Sequence, residues 1–183
     1  KKQQRATELQ IERIKQIEES VSNIDTTYFE YQKRYKRHKL KIDVNFLSNS
    51  FSINDIPENQ RLELIKAGKK LFKKMEDLSN GEEKKINYLL IIEGNAQKYN
   101  NNHITAANNG YILSYNRSLA LVNFWKQNNI RFSQLDNCEM LIVGSGYFGK
   151  NRELKESENR KFTIQITPKI SLEDLENKKK QNE

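Results

Sequence analysis

The sequence is poor in the residues that build several kinds of protein. It has one cysteine, two histidines and two prolines in 183 residues. Because Cys138 has no second cysteine to pair with, a disulfide scaffold and a cysteine-based zinc site are excluded. No stretch approaches the run of about 20 apolar residues that a membrane-spanning helix needs, which excludes a polytopic membrane protein. What remains is a polar chain long enough for one mid-sized core and an arm.

Basic residues are in excess. The chain has 32 Lys and Arg against 24 Asp and Glu, a net charge of +8, and a mean hydropathy of −0.90. Such a surplus suits nucleic acid, a membrane surface, an anionic polymer or solubility alone. Its densest part is residues 33–41, where six of nine residues are Lys or Arg. This run is interpreted either as a nucleic-acid surface or as a solvated connection into the first strand, and we favour the second.

The sequence offers little for catalysis. His38 lies in the basic run and His103 in an asparagine-rich stretch, and neither has a carboxylate or cysteine at metal-ligand spacing. Residues 144–149 match G-x-G-x-x-G, but the next strand lacks the acidic residue that a dinucleotide site places about 20 residues later. We therefore interpret this segment as a glycine-rich turn. The chain is predicted to be a binding protein and not an enzyme, with no cofactor and no metal.

Residues 1–37 are predicted to form a helical arm. Ile14, Ile17, Val21 and Ile24 recur at helical spacing and share one stripe. The stripe leaves two alternatives open. The arm packs on a partner or a second copy of itself, or it docks on the domain that follows.

The rest of the chain alternates between strand and helix patterns. An alternating run predicts a half-buried strand over Leu40–Phe46, and Pro168 is expected to close the last strand. The order β-α-β-α-β-β predicts an α/β (α+β) two-layer sandwich with a small mixed four-stranded sheet. A helix is predicted to start in a capping box of Asp55 and Glu58, with Pro57 in its first turn, and to end at Asn80-Gly81. The other predicted elements are strand 40–46, strand 86–92, an asparagine-rich loop 97–110, helix 113–127, strand 140–143 and strand 162–166.

Four short motifs in this order resemble the C-terminal domain of the OmpA/MotB family. That family has a strand ending in G-H-T-D, a helix beginning L-S-x-x-R-A, a G-x-G turn after the third strand, and N-R-R before the fourth. The resemblance covers residues 39–169 and implies an arm or linker over 1–37 after an unseen membrane anchor, an OmpA-like domain over 38–170, and a charged tail over 171–183. The matching segments here are Ile92–Gln97 (IEGNAQ), Leu113–Ser118 (LSYNRS), Val143–Gly146 (VGSG) and Glu158–Lys161 (ENRK).

The resemblance implies non-covalent binding of peptidoglycan in the bacterial periplasm, through the diaminopimelate of its stem peptide. In the family, the Asp of G-H-T-D takes the amino group and the Arg of L-S-x-x-R takes a carboxylate. The arginine matches Arg117, whereas Gln97 replaces the acid. Glu93 is a possible substitute acid, although its side chain is expected to point away from the motif. The implied ligand-binding positions are Arg117, Gln97, Asn95, Leu113, Asn159 and Arg160.

A charged helix before the first strand also resembles MotB-type stator subunits. That likeness implies an inner-membrane-anchored homodimer that clamps to the wall beside a MotA-like channel subunit. The same layout occurs in stator-like phage-defence complexes of the Zorya kind. Two alternatives remain: a nucleic-acid-binding basic module, which we do not favour, and an OmpA-like protein-interaction domain that has lost wall binding.

Overall fold

The computed structural model describes residues 2–42, 44, 46–80, 86–98 and 109–169. In this part of the chain, three α-helices accompany one five-stranded mixed sheet. The helices are α1 Lys2–Ser22, α2 Glu58–Asn80 and α3 Tyr111–Gln127. The strands are β1 Phe29–Gln32, β2 Arg37–Leu40, β3 Asn87–Gly94, β4 Cys138–Gly144 and β5 Phe162–Lys169.

The strand order across the sheet is β1-β2-β5-β3-β4. β3 and β4 are parallel, with Gly94 opposite Gly144, and α3 forms the crossover that parallel neighbours require. The other pairs are antiparallel. The C-terminal ends of β2, β3 and β4 and the N-terminal end of β5 therefore lie at one edge of the sheet, which we call the upper edge.

The prediction of four strands was wrong, because a hairpin of β1 and β2 comes first. The predicted strand 40–46 was also wrong, because β2 ends at Leu40. Leu40 pairs with Phe29, the first residue of β1, and the Lys41 nitrogen donates to the Tyr28 carbonyl at 2.9 Å just before β1 begins, so the ladder ends there. The alternating pattern continues beyond the strand since Val44 and Phe46 are still buried in the core.

β5 is longer than predicted and contains Pro168. The residue pairs with Tyr88 on β3. β2 pairs with β5 at Thr163 and Ile164, at the other end of the strand, so β5 has an unpaired side near Pro168. A proline is tolerated at such an edge because no ladder hydrogen bond is lost there.

The long helices follow their apolar spacing. α2 ends at Asn80, as its sequence predicts, but it begins at Glu58, after Pro57, because the expected cap Asp55 lies in a short 3-10 turn over Ile53–Asp55. α3 begins at Tyr111, two residues earlier than predicted, because Gly110 adopts a left-handed φ of 75° and starts the helix there. Trp125 of α3 is completely buried, and its indole Nε1 donates to the Leu64 carbonyl of α2 at 2.8 Å. This bond joins the two helices in one layer over the sheet.

The predicted helical arm is only partly helical. α1 ends at Ser22, and the hairpin of β1 and β2 occupies the rest of the segment to Leu40. Ile17 and Val21 are buried in the core, whereas Ile11 and Ile14 are 49% and 37% exposed. The docked alternative therefore describes the C-terminal end of α1. Packing of its N-terminal part on a partner stays a prediction.

Some predicted features lie outside the described residues. These are most of the asparagine-rich loop, with residues 99–108, and the charged tail, with residues 170–183. Among the helices that are described, none combines the length and the apolar content that crossing a membrane requires.

Candidate ligand-binding site

The predicted site residues come from segments that meet at the upper edge. Gln97 and Asn95 follow β3, Leu113 and Arg117 lie in the first two turns of α3, and Arg160 precedes β5. Two glycines bring α3 against the ends of the parallel strands. A Cβ on Gly94 would lie 2.1 Å from the Ser114 carbonyl oxygen, and one on Gly144 would lie 2.4 Å from the Tyr115 nitrogen. Glycine is required at both positions because any side chain would push the helix away.

Arg117 is held rigidly at this edge. It is 3% exposed, and its Nε donates to the Ser50 carbonyl oxygen at 3.0 Å. The guanidinium carbon lies 4.8 Å from the centroid of the Phe46 ring, a cation–π contact. Sequence reasoning missed Phe46 and Ser50 as its neighbours. The alternating pattern marks Phe46 as buried, but nothing in the sequence marks Ser50.

Gln97 lies in a braced loop. The loop is tied to the glycine-rich turn by a hydrogen bond from the Ala96 nitrogen to the Gly146 carbonyl at 3.3 Å. Arg152 Nη1 donates to the Ala96 carbonyl at 3.0 Å, and Arg152 forms an ion pair with Glu156. Within this frame, the side-chain Oε1 of Gln97 is buried and accepts no hydrogen bond from the described residues. A buried acceptor without a donor is costly, so this oxygen is a candidate acceptor for a ligand.

Asn95 and Asn159 are structural in this arrangement. Asn95 accepts from Ser145 Oγ at 2.9 Å through Oδ1 and donates to the Lys161 carbonyl at 3.4 Å through Nδ2. Asn159 is completely buried, accepts from the Glu153 nitrogen at 2.8 Å and donates to the Glu153 carbonyl at 3.1 Å. Their amides are used within the protein, so their contribution to a ligand site is to fix the loops.

Arg160 and Leu113 are half-buried. Arg160 Nη1 donates to the Phe46 carbonyl at 3.4 Å, while its Nε is buried without an acceptor in the described part of the chain. Phe46 therefore contacts two arginines, Arg117 through its ring and Arg160 through its carbonyl oxygen.

Glu93 does not take the place of the missing acid. Its Oε2 accepts from Arg37 Nη1 at 2.6 Å and from Thr163 Oγ1 at 2.7 Å. These partners lie on β2 and β5 and fix the carboxylate over the sheet. The expectation that its side chain points away from the motif is consistent with these contacts.

The G-x-G-x-x-G segment forms a turn. β4 ends at Gly144, Gly146 adopts a φ of 57°, and no helix begins in the segment. Cys138 lies at the other end of β4, and burial raises the pKa of its thiol to about 11. The thiol is therefore protonated at neutral pH and is a poor nucleophile.

Comparison with protein-family models finds no match, and comparison with curated proteins finds none either. Among solved structures, the chain is similar to the periplasmic domain of MotB from Helicobacter pylori, with 14% identity and a TM-score of 0.47 over 84% of this chain and 94% of that chain. It is also similar to the peptidoglycan-associated lipoprotein from Burkholderia pseudomallei, with 15% identity and a TM-score of 0.41 over 68% and 88%. An outer membrane protein from Borrelia burgdorferi B31 has 19% identity and a TM-score of 0.40 over 80% and 96%.

Proposed function

We propose that this chain is a periplasmic domain that binds peptidoglycan without covalent chemistry, and that it anchors a membrane-bound, stator-like complex to the cell wall. The ligand is the zwitterionic end of a diaminopimelate-type stem peptide. Arg117 takes a carboxylate of this group and Gln97 accepts a hydrogen bond from its ammonium. The single observation that supports the proposal most directly is the buried, unsatisfied Oε1 of Gln97 at the same sheet edge as Arg117.

Both side chains are suited to this role. The contact with the Phe46 ring limits the freedom of the guanidinium before a carboxylate arrives, so less binding energy is spent on ordering it. An amide oxygen accepts from an ammonium, but without the charge assistance of an aspartate. The proposed affinity is therefore lower than that of a site with an acid in this position.

Access to Arg117 requires a movement. Arg117 is 3% exposed, and its Nε already donates a hydrogen bond to the Ser50 carbonyl. Leu47 and Phe51, on the same segment, are 65% and 48% exposed, so little packing opposes a shift of this segment. We expect the amide hydrogen exchange of residues 47–52 to change when a stem peptide binds.

Co-sedimentation with purified peptidoglycan tests the proposed site. We expect the wild-type chain to pellet and Arg117→Ala to remain in solution, whereas Arg131→Ala, an exposed arginine beyond the other end of α3, pellets like the wild type. Gln97→Glu keeps the shape of the side chain and adds a charge, so binding should tighten by about tenfold. Failure of the wild type to pellet, or equal pelleting of Arg117→Ala, would reject the site and leave the protein-interaction alternative.

The anchoring role has its own test. In the stator-like arrangement, two copies pair through the arm, whose exposed stripe includes Ile11 and Ile14. Cysteine placed at Ile14 in the intact membrane-bound protein should form an intermolecular disulfide with the same position of the second copy. The native Cys138 should contribute little cross-linking, because it is half-buried and the pKa of its thiol is raised. Cysteine at the exposed Lys126, in the last turn of α3, serves as the control. Equal cross-linking at both positions would argue against pairing through the arm.

A further inference from the structure

A cavity of about 500 Å³ lies beside the candidate site at the upper edge. It lies between the end of β2, with the residues that follow it, and the segment 155–161 that leads into β5. Arg160 is the only predicted site residue that lines it. Its lining includes five cationic side chains against two glutamates; the cations are Lys39, Lys41, Lys155, Arg160 and Lys161.

Two of these cations share one carboxylate within the protein. Glu153 Oε1 accepts from Lys39 Nζ and from Lys161 Nζ, both at 2.9 Å. These bonds lower the pKa of the Glu153 carboxyl. Lys161 is buried and also donates to the Asn151 carbonyl at 2.6 Å. Both ammonium groups in this part of the cavity lining therefore have a carboxylate partner, although one negative charge serves the two.

The other three cations are not matched in this way. Lys41 Nζ donates to the Thr26 carbonyl at 2.9 Å, which satisfies a hydrogen bond but supplies no negative charge. Lys155 lies 3.8 Å from Glu158 and is 75% exposed, so that ion pair is weak. Arg160 makes one long hydrogen bond and has a buried Nε without an acceptor among the described residues. The cavity therefore brings together donors and positive charge that an oxyanion would satisfy.

We propose that this cavity binds an oxyanion, a carboxylate or a phosphate, on the same wall polymer that occupies the Arg117 site. Only the assignment to the wall polymer rests on the proposed function. Phe46 connects the two sites, since its ring contacts Arg117 and its carbonyl accepts from Arg160. A polymer with a zwitterionic group at Arg117 would thus place a neighbouring anion within reach of the cavity. The volume has room for an oxyanion and part of the group that bears it.

Nuclear magnetic resonance titration of the ¹⁵N-labelled chain tests the inference with two probes, inorganic phosphate and a stem tetrapeptide. We expect saturable shifts at the amides of Ile42 and residues 155–161 with at least one probe. The double variant Lys41→Gln/Lys155→Gln removes two exposed cations, so the affinity should fall by about tenfold or more. The matched control is Lys126→Gln/Lys150→Gln, which removes the same charge from exposed lysines outside the cavity and should bind like the wild type.

The two probes separate the sources of the oxyanion. Shifts with phosphate alone assign the site to a phosphate group, and shifts with the tetrapeptide assign it to a carboxylate; either result supports the inference. An absence of saturable shifts with both probes, or equal weakening in both double variants, would overturn it. A wild type that shows these shifts but does not pellet with peptidoglycan would reject the proposed function and keep the oxyanion site. A wild type that pellets with peptidoglycan but shows no such shifts would keep the proposed function and reject the oxyanion site.

Discussion

Gly68 shows how a single position decides the contact between α2 and α3. A Cβ there would lie 2.5 Å from Nε1 of Trp125, which is completely buried. Glycine inside a helix costs about 1 kcal/mol relative to alanine. Its presence in the middle of α2 is explained by the indole ring, which needs the space to reach the Leu64 carbonyl. From the sequence alone, Gly68 only lowers the helix propensity of α2, with no visible reason for its presence.

We predict that Gly68→Ala destabilises the protein by about 1–2 kcal/mol, although alanine is the better helix former. The reason is that overpacking against Trp125 outweighs the gain in helix propensity. Urea unfolding measures the effect, and Lys69→Ala, the exposed neighbour in the same helix, is the control. A Gly68→Ala protein more stable than the wild type would show that the two helices separate at little cost.

Between elements, His38 joins α1 to the sheet. It lies on β2, is 2% exposed, and its Nε2 donates to the Ser22 carbonyl at the end of α1 at 3.0 Å. Burial lowers the pKa of His38 and nearby Lys74 lowers it further, while the carbonyls of Ser22 and Ile164 partly oppose this. The imidazole is therefore neutral at pH 7 in the folded protein.

This lowered pKa predicts a loss of stability in mild acid. Unfolded His38 binds a proton as the pH falls below about 6.5, whereas the folded side chain resists protonation. The free energy of unfolding should thus decrease from about pH 7 downward until the folded pKa is passed. In His38→Gln, which can still donate to Ser22, urea unfolding should show a flatter pH dependence in this window. His103 is present in both proteins, so parallel curves would mean that His38 contributes nothing.

The helices were predictable from sequence because their apolar residues recur over many turns. α2 was predicted to its last residue, and α3 to within two residues of its start. β1 was missed because it has only four residues and lies next to a run of charges. Within it, Phe29 and Tyr31 are the two apolar residues that indicate a side facing the core. The strand over 40–46 was misplaced because burial of Val44 and Phe46 continues where backbone pairing ends. Periodicity reports which side chains are buried, and pairing depends on strands that lie far away in the sequence.

The site was predictable to the same extent. Motif order placed Arg117 and Gln97 at one end of the sheet, since strand ends and helix starts follow from the fold. Their surroundings did not follow, because Ser50 and Phe46 reach Arg117 from a segment some 70 residues away in the chain. The side-chain amides of Asn95 and Asn159 already make hydrogen bonds within the protein, and this could be recognised only from the folded loops.

At the scale of the whole molecule, the basic run over 33–41 is dispersed. Three of its six cations pair with carboxylates in different parts of the chain: Lys36 with Glu18, Arg37 with Glu93, and Lys39 with Glu153. His38, in the middle of the run, is buried. A nucleic-acid surface needs a continuous stripe of available cations, and the hairpin distributes these over several ion pairs. The net charge of +8 is therefore a poor guide to the ligand.

Neutralising two neighbours in this run separates a structural role from an electrostatic one. Arg37→Gln removes the cation that faces the buried Glu93 carboxylate and leaves the Thr163 hydroxyl as its donor among the described side chains, so the free energy of unfolding should fall by about 1–3 kcal/mol. Lys36→Gln removes the same charge from an exposed pair and should leave stability unchanged in urea unfolding. A nucleic-acid module predicts a different outcome, because both variants would then lose a band shift with DNA or RNA at low salt. If the wild type shifts neither nucleic acid while Arg37→Gln alone is destabilised, Arg37 stabilises the fold and the basic run is not a nucleic-acid surface.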